Sequence, residues 1–346
     1  MQDIRDYGAV GDGQALDTAA IQKAIDAGGM VLVPPGIYRT GTLYLKSNGG
    51  LHLEPGAVLL ASHCRQDYNA DDFCPQNDVF WEEKVTGAHL ITSVGQENVT
   101  VEGHGTIDGD GHFWMNESHL IPGTQEYDAN PERPGQLLFF CECRDVHVTD
   151  VRICNGSYWH LFFHGCRDVF VRGVVIRADR DYGIRIGVGS GLIRNCTLSN
   201  LDIEAPNCGG LGIMGRWSSL SRSATSVENL LFTNLRIRAR RPLELVSGYG
   251  DAPLPNPCRL HNLILSHLLL SPTEKLQITG MPACPLEQIV LNDVTVVLPP
   301  EGLPGPVTQV DWVHGLTVDG YRVLGPAEQE ITVSHSRDVS VNGVRL

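Results

Sequence analysis

The sequence predicts an all-β fold, a single-stranded right-handed parallel β-helix of about ten coils, closed at its N-terminal end by a capping helix. Three observations lead there. First, the chain repeats itself: Cys143-Arg144-Asp145-Val146 returns as Cys166-Arg167-Asp168-Val169, each copy opening the same apolar–polar alternation. Second, that alternation recurs along most of the chain behind a polar residue, with its leading apolar residue at Val99, Val146, Val169, Cys196, Leu230, Leu263, Ile289, Leu316 and Val339. After the first gap these positions lie about 23 to 34 residues apart, the period of a stacked solenoid. Third, a shorter alternating segment precedes each run ("QLLFF", "WHLFFH", "YGIRIG", "GLGIMG", "PLELVSG", "KLQITG", "EITVSH"), leaving no room for a helical crossover.

Taken in chain order, the first element is the helix of "LDTAAIQKAIDAGG", with Asp17 as N-cap, Ala20, Ile21, Ala24 and Ile25 on one face, and Gly28 as stop. It spans Asp17 to Ala27 and covers the strand edges that the first coil would otherwise leave open. The strand repeats then run to the C-terminus, each coil about 4.8 Å from the next, so that like residues form ladders. Residues 64–83 and 112–134 read as long loops, the walls of a functional face. No linker interrupts the pattern, and residues 1–346 are expected to form one domain.

Composition narrows the function. With 42% hydrophobic and 19% charged residues the chain is globular, and no run approaches the roughly 20 apolar residues of a membrane span. The net charge of −14 argues against nucleic acid as a partner, though a local basic cleft can still serve an anionic sugar polymer. Only Lys23, Lys46, Lys84 and Lys275 are lysines; the other cations are arginines, which grip carboxylates bidentately and also reflect genome composition. Of ten cysteines only Cys141 and Cys143 are close-spaced, so no metal site or other cofactor is expected. Cys143, Cys166 and Cys196 read as stacked small hydrophobes, with few or no disulfides, which favours a reducing compartment. Met1-Gln2-Asp3 opens no signal peptide, so the expected location is the cytoplasm, or outside the cell after loss of a leader. Oligomeric state is not indicated.

The segment from Asp3 to Ser62, together with "ENVTVEGHGTIDGDGHFW", "NGSYWHLFFHGCRDVFVRGVVI" and "EKLQITGMPACPLEQIVLNDVTV", resembles glycoside hydrolase family 28, the polygalacturonase-like enzymes, over nearly the whole chain. The resemblance implies a pectin-lyase-like solenoid and inverting hydrolysis of a uronate-containing polysaccharide. The family's catalytic motifs are an Asn-Thr-Asp, an Asp-Asp pair, a His-Gly and an Arg-x-Lys. None of the four stands at the coils where the family carries it: after "VRGVVIRA" the chain goes directly to "DRDYGIRIGVGSGLIRNC". Tyr182 then stands at the family's His position, and Gly212 and Met214 where Arg and Lys belong.

Site residues must therefore be argued from strand parity. With Leu161, Phe163, Ile184, Ile186, Leu211, Ile213, Leu243 and Leu245 inward, the outward column carries His160, Phe162 and His164, then Asp181, Gly183 and Arg185, then Gly212 and Met214, Glu244 and Val246, Lys275 and Gln277. Asp181 and Glu244 lie two coils, on the order of 9.6 Å, apart, at the edge of the roughly 6.5–9.5 Å that inverting hydrolysis uses. Asp179 and Asp181 form the other candidate acid–base pair, close enough for one carboxyl to raise the pKa of the other. The Asp179-Arg180-Asp181 trio reads equally as an exposed turn, Glu244 as a solvated strand residue, and His160 and His164 as ladder histidines. His160, His164, Tyr182, Arg185, Arg216, Trp217, Arg240, Arg241 and Lys275 are candidate sugar contacts. Trp114 and Trp159 are candidate stacking platforms, with core packing the alternative for Trp159.

Three functions stay open: a glycoside hydrolase on pectin-like glycans, a catalytically silent glycan-binding or structural β-helix that has lost its catalytic coils, and a uronate lyase or epimerase using Tyr182 and Arg185.

Overall fold

The computed structural model describes residues 1–74, 85–120, 127–179, 181–187, 191–214, 225–248 and 259–346, with 116–120 and 127–129 described by backbone alone. It is a right-handed parallel β-helix with three strand faces per coil. The first face stacks Met30–Val33, Gly49–Leu53, Glu97–Gly103, Arg144–Thr149 and Arg167–Arg172; the second stacks Gly36–Thr40, Ala57–Ala61, Thr106–Asp108, Arg152–Cys154 and Val175–Arg177. Beyond residue 190 extended pairing continues through the corners, so Gly191–Met214 and Thr225–Val246 run as continuous strands of 24 and 22 residues.

The nine inward positions read from the sequence are one ladder. Val99, Val146, Val169, Cys196, Leu230, Leu263, Ile289, Leu316 and Val339 pair successively in register, and all are buried. Full burial of each such side chain is worth about 1.5–3 kcal/mol, which is why the alternation survives from coil to coil. Cys196 takes the place of Val169 here and does not stack on Cys166, a correction to the three-cysteine ladder. The nine described cysteines are free.

The polar residue before each run has a conformational task. Asn98, Asp145, Asp168, Asn195, Asn229, Asn262 and Asp338 all have φ between 54° and 58°, the left-handed region that turns the chain at a corner. Asn and Asp tolerate that region best among residues with a side chain. Where two asparagines meet they also bond to each other: Asn229 Nδ2 donates to Asn195 Oδ1 at 3.4 Å, and Asn262 Nδ2 to Asn229 Oδ1 at 2.8 Å.

The helix is Thr18–Asp26, with Ile21, Ala24 and Ile25 packed on the core. Asp17 does not cap it with its side chain; the carboxylate instead accepts from the Val10 and Gly11 amides at 2.7 and 3.1 Å, tying the preceding loop to the cap. No helix of the described residues is long and apolar enough to cross a membrane. Of the two expected loops, 64–74 holds a short 3-10 turn and the rest lies outside the described residues. The second contains the 3-10 turn Gly111–Trp114 and an antiparallel pair, Met115–Leu120 with Tyr127–Ala129, that the sequence pattern did not suggest.

Candidate functional site

The third face stacks ten rungs, and their outward residues form one register column. It reads Tyr44, Thr92, Phe139, Phe162, Arg185, Gly212, Glu244, Gln277, Gln309 and Thr332. The column changes character along its length. Its early part is aromatic: His89 stacks on Phe139 at 4.1 Å, and Phe139 on Phe162 at 5.7 Å. Tyr158, Trp159, Cys74 and Val85 complete an apolar layer there on the outside of the coil. Its middle is charged, and its last part is polar and half-buried.

The charged middle rests on two glycines. Tyr182 leaves the corner before Ile184 and lays its ring across the next coil; a Cβ on Gly209 would sit 1.9 Å from its Cε1, and one on Gly212 2.9 Å away. Only bare backbone lets the ring pass, so the phenol reaches the coil beyond and donates a short hydrogen bond to Glu244 Oε2. Glu244 Oε1 accepts from Arg241 Nη1 at 2.9 Å. Burial pushes the Tyr182 phenol far above its ordinary range, which keeps it a donor. The Arg185 guanidinium lies 4.4 Å from the Tyr182 ring centre and 4.9 Å from that of Trp159. An arginine framed by two aromatic faces is held flat and in place.

Several expectations change against this geometry. Glu244, expected as an open outward carboxylate, is fully buried, and Arg185 is only 4% exposed. Their column points away from the coil interior but lies beneath the apolar layer and the Tyr182 ring. His160 is buried as well: Nε2 accepts from the Gly156 amide at 2.9 Å and Nδ1 faces the Tyr182 carbonyl at 3.3 Å. With both nitrogens engaged, burial pulls its pKa down to about 4, so it is a neutral clamp between coils and not an open contact for a ligand. His164 is buried beside Phe162. Trp159 is buried too, yet packs in the outer layer under Arg185 and not in the coil interior. Trp114 is buried in the core, and the open ring of its segment is Phe113. Arg240 is half-buried near Glu274 at 3.6 Å, and Lys275 donates to Gln309. Arg216 and Trp217 lie outside the described residues, as does Arg180.

Asp181 does not sit in the strand column. The strand begins at Ile184, and a Cβ on Gly183 would point inward, 2.7 Å from Cγ2 of Ile203. Two successive inward positions break the parity, so Asp181 belongs to the corner. Its Oδ1 accepts from the Tyr182 amide at 2.8 Å and lies 3.8 Å from Cys208 Sγ. Burial, helped by the Asp181 charge, pushes that thiol up to about 12 and leaves it unreactive. Asp179, half-exposed on the same corner, lies 3.6 Å from His112 Nε2, and its carbonyl accepts from Asn207 Nδ2 at 2.8 Å. A single corner, between the strands Val175–Arg177 and Ile184–Gly187, thus presents Asp179 and Asp181 ahead of the strand that carries Arg185. Parity reasoning missed His112, Phe113 and the Tyr182–Glu244 bond; the small residues of Gly209-Gly210-Leu211-Gly212 were the available signal for the last.

Residues 60–207 match the model of glycosyl hydrolases family 28, and residues 1–49 that of rhamnogalacturonase A/epimerase, pectate lyase-like. The exo-poly-alpha-D-galacturonosidase of Dickeya chrysanthemi is 39% identical over 120 residues, covering 31% of this chain and 19% of that protein. The probable polygalacturonase of Vitis vinifera is 30% identical over 186 residues, covering 50% and 36%. The chain thus spans well under half the length of both. Among solved structures, the polygalacturonase of Erwinia carotovora ssp. carotovora superposes with a TM-score of 0.62 at 15% identity, covering 96% of this chain and 95% of that one.

Proposed function

We propose that this polygalacturonase-like β-helix, which matches glycoside hydrolase family 28 over residues 60–207, hydrolyses uronate-containing, pectin-like glycans along its third face. The observation that carries this reading is two carboxylates, Asp179 and Asp181, on the corner that leads into the strand of Arg185, an arginine framed by aromatic rings. Arg185, although only 4% exposed, is the fixed cation that this reading assigns to a uronate carboxylate. Asp181 and Asp179 supply the acid and base of an inverting displacement. Tyr182, Glu244 and Arg241 act as positioning residues: the phenol–carboxyl–guanidinium chain fixes the ring against which Arg185 lies. Gln277 and Gln309, further along the column, offer neutral donors and acceptors to sugar hydroxyls.

Asp181→Asn keeps the shape of the side chain and removes its ionisable group. Release of reducing ends from galacturonan should fall roughly 100-fold or more, while oligomer affinity changes little. Full activity in that variant would remove Asp181 from the chemistry. A second reading, a glycan binder without turnover, is favoured by the double engagement of Glu244 and by a sequence after "VRGVVIRA" that carries no Asn-Thr-Asp and no Asp-Asp. Affinity for galacturonate oligomers with no cleavage of any pectic substrate would establish that reading in its place.

A further inference from the structure

Two thiols that the proposed chemistry does not use meet beside the site face. Cys74 ends the described stretch of the first wall loop, and Cys141 closes the rung Leu138–Cys141, in register with Val94 and His164. Their sulfurs are 3.6 Å apart and both residues are buried, Cys74 at 2% exposure and Cys141 at 0%. Both belong to the outer apolar layer that includes Trp159 and Tyr182, the two rings that frame Arg185.

Polar ties lead the loop to that contact. Asn69 Oδ1 accepts from the His89 amide at 2.9 Å, and its Nδ2 donates to the Gly87 carbonyl at 2.8 Å. Asp71 Oδ1 accepts from the Gly87 amide at 3.0 Å and from Arg65 Nη2 at 2.6 Å. The Phe73 amide then donates to the Ala70 carbonyl at 3.2 Å, and its ring meets Tyr44 of the column edge-on at 5.3 Å. Cys74 follows and arrives on Cys141, 67 residues away in sequence.

A disulfide holds its sulfurs about 2.05 Å apart, so this pair has roughly 1.5 Å left to close. Cys74 stands on a loop outside the repeating strands, and a loop end can make that shift while the rung stays in its ladder. Cys143 and Cys166 are placed differently. Their thiols donate to the Ser93 and Phe140 carbonyls, each at 3.3 Å, and both stand at corners of adjacent coils that the stack already joins. Among the described residues, the pair at 74 and 141 is the one whose bond would tie a wall loop to the face.

We propose that Cys74 and Cys141 are a redox-controlled clasp, a disulfide formed on exposure to hydrogen peroxide that locks the wall loop onto the third face. One peroxide oxygen goes to Cys74 as a sulfenic acid, and the other leaves as water. The Cys141 sulfur then attacks Cys74: the S–S bond forms, the S–O bond breaks, and a second water departs with the remaining thiol proton. The two thiols together lose two electrons, and the peroxide gains them. A thiol reductant reverses the bond. The clasp acts on the wall, so it stands whichever glycan the face takes.

Peptide mapping without reduction tests it on the folded protein, before and after peroxide, with the remaining thiols blocked by a maleimide. Fragmentation should place a bridge between Cys74 and Cys141, and oxidation of the exposed Cys64 reports that peroxide has acted. The melting temperature of the bridged protein should rise by about 5 °C or more, because the bond closes a long loop, and should fall back with dithiothreitol. Cys74→Ser should show neither bridge nor rise. Since both thiols are buried, the map is repeated on protein refolded in a glutathione redox buffer, where the bond can form before the loop packs. Cys74 and Cys141 still free after both treatments would overturn the clasp, as would a Cys143–Cys166 bridge in its place. A bridge formed only on refolding would overturn its control by peroxide, and one that leaves the melting temperature unchanged would overturn its locking of the wall.

Discussion

A methyl group on Gly209 would stand 1.9 Å from Cε1 of Tyr182, closer than any side chain tolerates. Gly209→Ala must therefore expel the ring from its channel and break the bond to Glu244, leaving that buried carboxyl with Arg241 as its described partner. Overpacking of this kind costs about 1–3 kcal/mol, and the buried acceptor that loses its donor adds roughly 1–3 more. Tyr182→Phe removes only the hydroxyl and should show the second loss without the first. Urea unfolding of the two variants separates the terms, and equal stability of Gly209→Ala and the native protein would show that the ring does not depend on that glycine. At this scale the sequence was partly legible. Glu244, Arg185 and Tyr182 were singled out by parity and by resemblance, yet their mutual bonding was not, because it joins coils 62 residues apart in sequence. Asp181 was placed wrongly because parity holds only inside a strand. The corner at Gly183 resets it, and no local pattern announces a reset.

At the scale of the repeating element, the corner asparagines carry an energetic load that the strands alone would not. Asn229 turns the chain at φ 58°, donates to Asn195 and accepts from Asn262. Asn229→Ala should lower stability by about 2 kcal/mol: roughly 1 for the left-handed backbone and about 1 for the lost amide ladder. Asn229→Gly keeps the backbone and should cost only the ladder. Thermal melts of the pair check the ordering, and a glycine variant no more stable than the alanine one would remove backbone strain as the cause. The same corner explains why the nine inward positions were readable. Each begins after a residue selected for a backbone conformation, so polarity there and apolarity next are both physically required. The antiparallel pair at 115–129 lacked such a marker, since it forms a separate two-stranded sheet outside the repeating coils. Cys196 was grouped with Cys143 and Cys166 by composition, whereas register assigns it to the valine ladder.

For the whole molecule, stability is close to a sum of seams between neighbouring coils, and two histidines close seams on the site face. His89 Nδ1 faces the Gln136 carbonyl at 3.1 Å on one seam, and His160 Nδ1 faces the Tyr182 carbonyl at 3.3 Å on another. Burial holds their pKa values at about 3 and about 4, far below the ordinary 6.5. The unfolded chain therefore takes up these protons first. The stability they confer is complete above about pH 6.5 and is lost as pH falls through the folded values near 4 and 3. Each unit of depression is worth about 1.4 kcal/mol, so at the acid end His160 withdraws on the order of 3 kcal/mol and His89 on the order of 5 kcal/mol. That window opens above the range in which ordinary carboxylates protonate, so the first loss of stability on acidification belongs to the histidines. The urea midpoint should accordingly fall from about pH 6.5 downward, with a slope approaching two protons taken up on unfolding. His160→Asn should be less stable at neutral pH, where the Gly156 amide loses its acceptor, yet should have a shallower slope by about one proton. A native midpoint that stays flat from pH 6.5 to 5, or a variant slope equal to the native one, would show that these seams do not sense the proton.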